Sequence, residues 1–482
     1  MTESRMLIDG KLEDAASSFE NINPATEEVI GQVSDASPED VRRAVDAARR
    51  AFDETSWSTD HKLRARCIEQ LQAAMEEAKE ELRTAMVQEG GSPIVLTFSV
   101  QLEYPIQWIS YFAELAASYE YEQPLPDIEF MGQIHKGVAL REPIGVVGMI
   151  TPFNFPVYLN LTKVAPALAS GCTMVLKPSP DTPWAATIMG RLVAEKTDIP
   201  SGVVNVVPSS RLESGRVLTT DERVDMLSFT GSTATGRAIL RDCADTVKKC
   251  FLELGGKSAN ILLDDADFAS GIGLGTAYVC THAGQGCALY TRMLLPRSRY
   301  DEGVEMAKAS FESFGYGDPT NPAFLQGPQI NERQRDKVLS MIEQGRSEGG
   351  KVIVGGGRPS HLEKGYYVEP TILVDVDPDA TLAQEEIFGP VLVIIPYEDD
   401  DDAVRIANNS KYGLSGSVWS ASTDRAMDVA KRIRTGTVAI NGGQWLHATR
   451  PFGGYKQSGV GRENGLQGFE EYLQTKVVAT PA

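Results

Sequence analysis

Ile144-Gly145-Val146-Val147-Gly148-Met149-Ile150-Thr151-Pro152-Phe153-Asn154-Phe155-Pro156 begins as an uncharged apolar run and breaks at a turn flanked by prolines. Seven such residues match a strand covered on both faces. Further strand-like runs at Cys172–Leu176, Val203–Val207, Val224–Phe229 and Val247–Leu252 alternate with helical patterns. That alternation predicts successive strand–helix–strand units and a parallel sheet. A second α/β series follows residue 287: Met293–Leu295, a helix from Tyr300 to Phe311, then Val391–Pro396, Ser417–Trp419 and Val438–Ile440. Upstream, Ser37-Pro38-Glu39-Asp40 reads as a helix start, with an N-cap serine, proline at the first helical position and acids in the first turn. Val41, Val45, Ala48 and Phe52 then share one face. The segment Tyr121–Ala139, with Pro124 and Pro126 and little periodicity, fits neither series and suits a hairpin reaching a neighbouring subunit.

Composition narrows the function classes. The chain has 482 residues, 42% hydrophobic and 23% charged, a length that corresponds to about three domains. Its longest apolar runs are strand-sized, short of the ~20 residues a bilayer requires. No apolar segment with a small-residue cleavage site follows Met1, so the expected location is the cytoplasm. A net charge of −20 counts against nucleic acid or an anionic membrane as partner. The six cysteines, at 67, 172, 243, 250, 280 and 287, form no C-x-x-C pair, which is a reduced-thiol pattern. Five scattered histidines and no H-E-x-x-H give a metal site no support.

Gly231-Ser232-Thr233-Ala234-Thr235-Gly236 has the glycine spacing of a phosphate loop, but Arg237-Ala238 stands where an NTPase carries Lys-Ser/Thr. Gly231 and Ser232 nonetheless follow a strand and open a helix, whose free N–H groups and dipole suit an anion. Gly355-Gly356-Gly357 reads as a plain turn.

Five separated segments change the reading: Thr151–Pro156, Phe229-Thr230-Gly231-Ser232, Glu253-Leu254-Gly255-Gly256-Lys257-Ser258, Gly284-Gln285-Gly286-Cys287 and Glu385-Glu386-Ile387-Phe388-Gly389-Pro390. Together they resemble the aldehyde dehydrogenase superfamily. The resemblance runs from Asn23-Pro24-Ala25-Thr26 to Pro451-Phe452-Gly453-Gly454 and Gly461-Arg462-Glu463. It implies an α/β fold with a Rossmann-type dinucleotide-binding domain (1–120 and 144–255), an α/β catalytic domain (256–460) and a small β oligomerisation element (121–143 and 461–482). It also implies a homodimer or homotetramer.

The chemistry explains the residue types. A trigonal aldehyde has no easy way to expel hydride, whereas the tetrahedral adduct of a thiolate does, and it leaves an activated thioester. By resemblance, Cys287 is that nucleophile, and the other five cysteines are structural. Asn154 and the backbone N–H of Cys287 would receive the oxyanion, a donor being worth ~3–4 kcal/mol in a dry site. Glu253 matches the general base that activates water against the thioester, with a pKa raised by an apolar setting. Lys163 and Glu463 match a supporting proton path, or equally a structural ion pair. Cofactor contacts fall, by the same resemblance, on Thr151, Pro152 and Phe153, on Lys177, Ser179 and Pro180, on Gly231, Ser232 and Leu254, and on Glu386 and Phe388. Pro180 departs from the pattern: many NAD-preferring relatives carry Glu there, so NAD is expected with NADP as the alternative.

The resemblance lines the substrate entrance with Val157, Tyr158 and Leu161, with Gly286 and Ala288, and with Trp445, Leu446, His447 and Arg450. Such a lining suits a hydrophobic aldehyde: aromatic, terpenoid or medium-chain aliphatic. Arg450 dissents. Turned inward it would pair with the carboxylate of a semialdehyde acid; turned outward it is a solvated charge. Rival readings are a coenzyme A-acylating dehydrogenase, against which Glu253 counts, an esterase-like acyl hydrolase, and a non-catalytic descendant of the fold.

Overall fold

The structure is a computed structural model that describes residues 3–482. An eight-stranded sheet carries the first α/β series. Its spatial order is Gly459–Val460, Lys249–Glu253, Met226–Thr230, Val146–Ile150, Thr173–Lys177, Val204–Val206, Met6–Ile8 and Lys11–Glu13. The five strands between residues 146 and 253 run parallel. Val146, Val147 and Met149 are fully buried, as expected of a strand covered on both faces. Each such side chain contributes ~1.5–3 kcal/mol of transfer free energy.

Chain order turns back between Val146–Ile150 and Met226–Thr230, which pair in register with Phe229 opposite Ile150. Successive strands spread outward from that seam in both directions. A crevice therefore opens beyond the carboxyl ends of these two strands, where α/β sheets bind ligands.

A seven-stranded sheet carries the second series, in the order Lys351–Val354, Thr371–Val374, Val391–Tyr397, Arg292–Pro296, Ala259–Leu262, Gly416–Trp419 and Ala439–Ile440. All its pairs are parallel except the first. Gly459–Val460 returns to the first sheet, antiparallel to Lys249–Glu253, so the chain's C-terminal part braces the strand that ends in Glu253.

The segment after residue 121 is a hairpin of Glu122–Phe130 and Gln133–Pro143, joined at Met131-Gly132. Both turn residues have positive φ, 54° and 78°, the requirement of the tight turn that matches strand twist. Leu473–Pro481 adds a third antiparallel strand. Ile128, Phe130, Met131, Ile134 and Val477 are exposed on this sheet.

The helix Pro38–Glu54 starts at the expected cap: Ser37 Oγ accepts from Asp40 N at 3.2 Å, and Asp40 Oδ2 accepts from Ser37 N at 2.9 Å. Val41, Val45 and Ala48 are buried, while Phe52 is half-buried under the Arg49 guanidinium. The expected strand at Val247–Leu252 begins later, at Lys249, because Val247 sits in the left-handed region with φ 53°. No helix among the described residues is long and apolar enough to cross a membrane.

Candidate active site

Cys287 sits beyond a distorted turn, Thr281–Gly284, in which His282, Ala283 and Gly284 all have positive φ (48°, 55° and 71°). Gly284 is needed there. A Cβ at that position would overlap the backbone of Gly389, so the loop before the cysteine interlocks with Glu385–Pro390. Gln285 fixes the loop further: its Oε1 accepts from Ile330 N at 2.9 Å, and its amide donates to Pro328 O.

Asn154 is buried opposite. One amide hydrogen is committed to Gln285 O at 2.9 Å, which orients the second hydrogen of the same NH₂. The Gln285 contact ties this amide to the backbone one residue from Gly286-Cys287.

Glu253, the last residue of its strand, is wholly buried, and neither carboxyl oxygen has a hydrogen-bond partner. Burial holds its pKa well above the ordinary carboxylate value, and the charge of Glu463 adds to this. The Cys287 thiol is likewise pushed well up, first by burial, then by the carboxylates of Glu253, Glu386 and Glu463. Lys163 and Glu463 form a buried ion pair at 2.6 Å. Next to it, Asn464 Nδ2 donates to Tyr158 Oη at 3.1 Å.

Cys287, Asn154 and Glu253 open onto one cavity of about 250 Å³. Phe155, Tyr158, Leu159, Tyr278, Trp445 and Phe452 supply most of its apolar wall. Trp445 is held in place by stacking on Phe452, with ring centroids 5.3 Å apart, and by donating Nε1 to Tyr290 Oη at 3.2 Å. Gly286, Ala288 and Leu446 also line it.

Two expected wall residues lie elsewhere. Val157 and Leu161 are buried in the core beneath the helix Pro156–Ser170, together with Val164, Ala165 and Leu168. The spacing 157, 161, 164, 168 is one helical face, so the cavity receives the neighbouring face, Tyr158 and Leu159. Arg450 is exposed, outside the cavity wall, and donates to Gln444 O. His447 is exposed as well, its ring edge-on to Trp108. Leu96, Val100 and Tyr278 join the wall from segments whose sequence gives no local sign of it.

The crevice at the chain-order reversal collects the residues expected at a dinucleotide. Thr151 follows one strand and Gly231 the other. Thr151 Oγ1 donates to Asn160 Oδ1 at 2.7 Å, which pins the turn that carries half-buried Pro152 and Phe153. Ser232 Oγ caps the helix Thr233–Ala244 by accepting from Thr235 N at 3.2 Å, and the N-terminus of such a helix suits an anion. Lys177 ends its strand and is mostly buried, and its Nζ makes only a long bond, 3.3 Å, to Pro178 O. Burial lowers its pKa to about 8. Ser179 and Pro180 lie half-buried beside it, with Ser179 Oγ 3.3 Å from Asp181 Oδ2.

Glu386 Oε1 accepts from Gly256 N at 2.9 Å, and a Cβ on Gly255 would come within 2.5 Å of Glu386 Oε2. The paired glycines thus let Glu386 and the Cys287 backbone approach closely, since a Cβ on Gly256 would come within 2.3 Å of Cys287 O. Leu254 packs against Gly236 of the capped helix, and Phe388, with φ 59°, meets Phe153 edge-to-face at 5.8 Å. A helix N-terminus, a buried lysine with an unfilled shell and a buried carboxylate held against two glycines fit a dinucleotide.

Comparison with known proteins agrees. The model of the aldehyde dehydrogenase family matches residues 12–478. A 3-succinoylsemialdehyde-pyridine dehydrogenase from a Pseudomonas species is 45% identical over 95% of this chain and 94% of its own length. An aldehyde dehydrogenase of Mycobacterium tuberculosis, solved with NAD+, superposes with a TM-score of 0.95 at 41% identity, covering 99% of this chain and 98% of its own. A mutant of aldehyde dehydrogenase C from Pseudomonas syringae, complexed with NAD+ and octanal, gives a TM-score of 0.93 at 41% identity over 99% and 96%. The chain belongs to the aldehyde dehydrogenase family and is an NAD-dependent aldehyde dehydrogenase.

Proposed function

We propose that this chain oxidises a hydrophobic aldehyde to its carboxylic acid, with Cys287 as nucleophile, Asn154 as oxyanion donor and Glu253 as general base. One observation carries the reading: a thiol, an orientable amide and an unpartnered buried carboxyl open together onto one apolar cavity. Cys287 releases its thiol proton to solvent as Sγ adds to the carbonyl carbon, and the oxygen that gains charge is met by the second N–H of Asn154 and by the Cys287 N–H. NAD would supply the hydride acceptor, and Lys177, Ser232, Glu386 and Phe388 would hold it. The acyl group then remains on Cys287 as a thioester. Glu253 takes a proton from the water that attacks it, and the acid leaves as the thiol is restored.

The apolar wall, with Arg450 outside it, favours an uncharged substrate. The octanal bound by one structural neighbour suits such a wall. The two larger sheets are assigned the dinucleotide and catalytic roles. The exposed apolar residues of the three-stranded sheet suit contact with another copy of the chain. A cytoplasmic location suits six unpaired cysteines.

The test follows reduced cofactor by absorbance over a panel of aldehydes, with and without free coenzyme A. Turnover independent of coenzyme A supports hydrolysis. Strict dependence on coenzyme A assigns the chain to acyl transfer instead.

A further inference from the structure

Tyr278, Trp445 and Phe452 border the cavity, whereas Tyr290 stands behind them, only 2% exposed. Its ring stacks on Tyr278, with centroids 5.2 Å apart and planes within 4° of parallel. Its hydroxyl accepts from Trp445 Nε1 at 3.2 Å. One side chain behind the wall thus holds two rings of the wall. The two come from distant segments, Tyr278 from the helix Phe268–Cys280 and Trp445 from a loop.

That loop depends on the hold. Residues 441–447 contain no helix or strand, and Asn441 and Gly442 turn through positive φ, 49° and 76°. Among the described residues, nothing in the chain accepts from the backbone N–H of Gln444, Trp445, Leu446 or His447. Side chains fix the segment instead. Arg450 donates to Gln444 O, and the Trp445 indole stacks on Phe452 at 5.3 Å while it donates to Tyr290. Phe452 is itself anchored, its backbone N and O exchanging hydrogen bonds with Glu463 at 2.7 and 2.6 Å. A stacked ring can slide in its own plane, but a directional hydrogen bond sets where the indole stops. The Tyr290 hydroxyl therefore governs how far Trp445 stands from Tyr278.

We propose that Tyr290 is a specificity-determining positioning residue: it fixes the span between Tyr278 and Trp445, so that the cavity selects unbranched aldehydes over branched isomers. The inference rests on the hydrophobic-aldehyde reading and narrows the substrate class within it. Isomers bury similar apolar area, so area alone separates them poorly. A yielding wall would accept either shape. A wall tied from behind admits a branched tail only by breaking the Tyr290 bond, which strands an indole N–H, or by parting the Tyr278 stack. Tyr290 touches neither substrate nor cofactor and acts through Trp445.

The experiment measures kcat and KM with NAD for acetaldehyde, nonanal and its branched isomer 3,5,5-trimethylhexanal. The full-length proteins are wild type, Tyr290→Phe, Trp445→Phe and the double variant. Wild type should prefer nonanal to its isomer. Tyr290→Phe keeps the ring and loses only the hydroxyl, so it should shrink that preference about fivefold, the worth of one hydrogen bond, through KM and not kcat. In the Trp445→Phe background the same substitution should change nothing more, because the donor is already gone. The Trp445 indole N–H, identified in tryptophan-labelled protein by its absence from Trp445→Phe, should exchange with deuterium faster in Tyr290→Phe.

A wild type that uses acetaldehyde as well as nonanal overturns the hydrophobic reading and this proposal with it. A wild type that prefers nonanal, with an isomer ratio unmoved in Tyr290→Phe or moved equally without Trp445, overturns the proposal alone. A uniform loss across all three aldehydes makes Tyr290 a purely structural residue and does the same. If Tyr290→Phe fails to fold, the wild-type indole decides: exchange as fast as that of an exposed indole overturns the proposal, and protection supports it.

Discussion

Lys163 Nζ lies 2.6 Å from Glu463 Oε1 across 300 residues of chain, and neither side chain is more than 2% exposed. The ammonium also faces the Phe251 ring at 4.9 Å. Removing one partner strands the other charge in a dry interior. Glu463→Ala should therefore cost about 3–5 kcal/mol of stability, read as a lower denaturant midpoint. Replacing both residues with methionine should recover much of that loss. An unchanged midpoint with an altered pH profile of turnover would make the pair a proton path instead of a structural tie.

Glu253 has its pKa raised by burial and then by Glu463. The base works only when ionised, so thioester hydrolysis should rise with pH through that raised value and flatten above it. The stability sign is opposite. Between the unfolded and folded pKa the native state binds more protons, so this residue's contribution to stability falls as pH rises. Glu253→Gln should form one equivalent of reduced cofactor and then stall as an acyl-enzyme, with the pH rise gone. Rapid mixing with intact-mass detection reads both.

The Cys287 thiol is held up by burial and by three carboxylates, of which Glu253 acts most strongly. Alkylation by iodoacetamide should accelerate only toward alkaline pH in the free protein. In Glu253→Gln the whole profile should move to lower pH, because one source of repulsion is gone. An unmoved profile would mean that the carboxylate does not act on the thiol. Cys287→Ala should lose dehydrogenase turnover while still binding NAD.

Octanal should exceed acetaldehyde in kcat/KM by at least about tenfold, since each buried methylene contributes ~0.8 kcal/mol. Trp445→Ala should erode that advantage, chiefly through KM. Arg450→Ala should leave succinic semialdehyde as poor a substrate as before. A semialdehyde preference abolished by Arg450→Ala would overturn the hydrophobic assignment.

Pro180, half-buried beside Lys177, cannot offer a carboxylate to a ribose. NAD should still be preferred over NADP, though weakly, and Pro180→Glu should sharpen the preference through repulsion of a 2′-phosphate. A kcat/KM ratio favouring NADP in the native chain would reverse this expectation.

The parallel sheets were legible because buried strands such as Val146–Ile150 are apolar without interruption and are punctuated by turns. That Cys287, Glu253 and Asn154 meet at one cavity was legible because each sits in a short string with few structural uses. The cavity wall was less so. Val157 and Tyr158 are adjacent in sequence, but only backbone geometry decides which of them faces the core and which the cavity. Leu96 and Val100 reach the wall through tertiary packing alone, and nothing within their own segment marks them. Val247 looked like the start of a strand because it is β-branched, yet the hydrogen bonds of a helix end overrode its preference.

The contact between Gly284 and Gly389 bears on how this chain could be recombined with its relatives. Two loops more than a hundred residues apart touch backbone to backbone, so position 284 accepts no side chain while Gly389 and Pro390 stay fixed, and a Cβ on Gly389 would strike Val338 instead. A chimera that takes one loop from each of two parents is sound only if the parent supplying the first loop has glycine at 284 and the other holds its loop at the same height. Crossovers placed outside residues 284–389 carry the two loops across as one inherited block, and libraries built that way should retain more folded members.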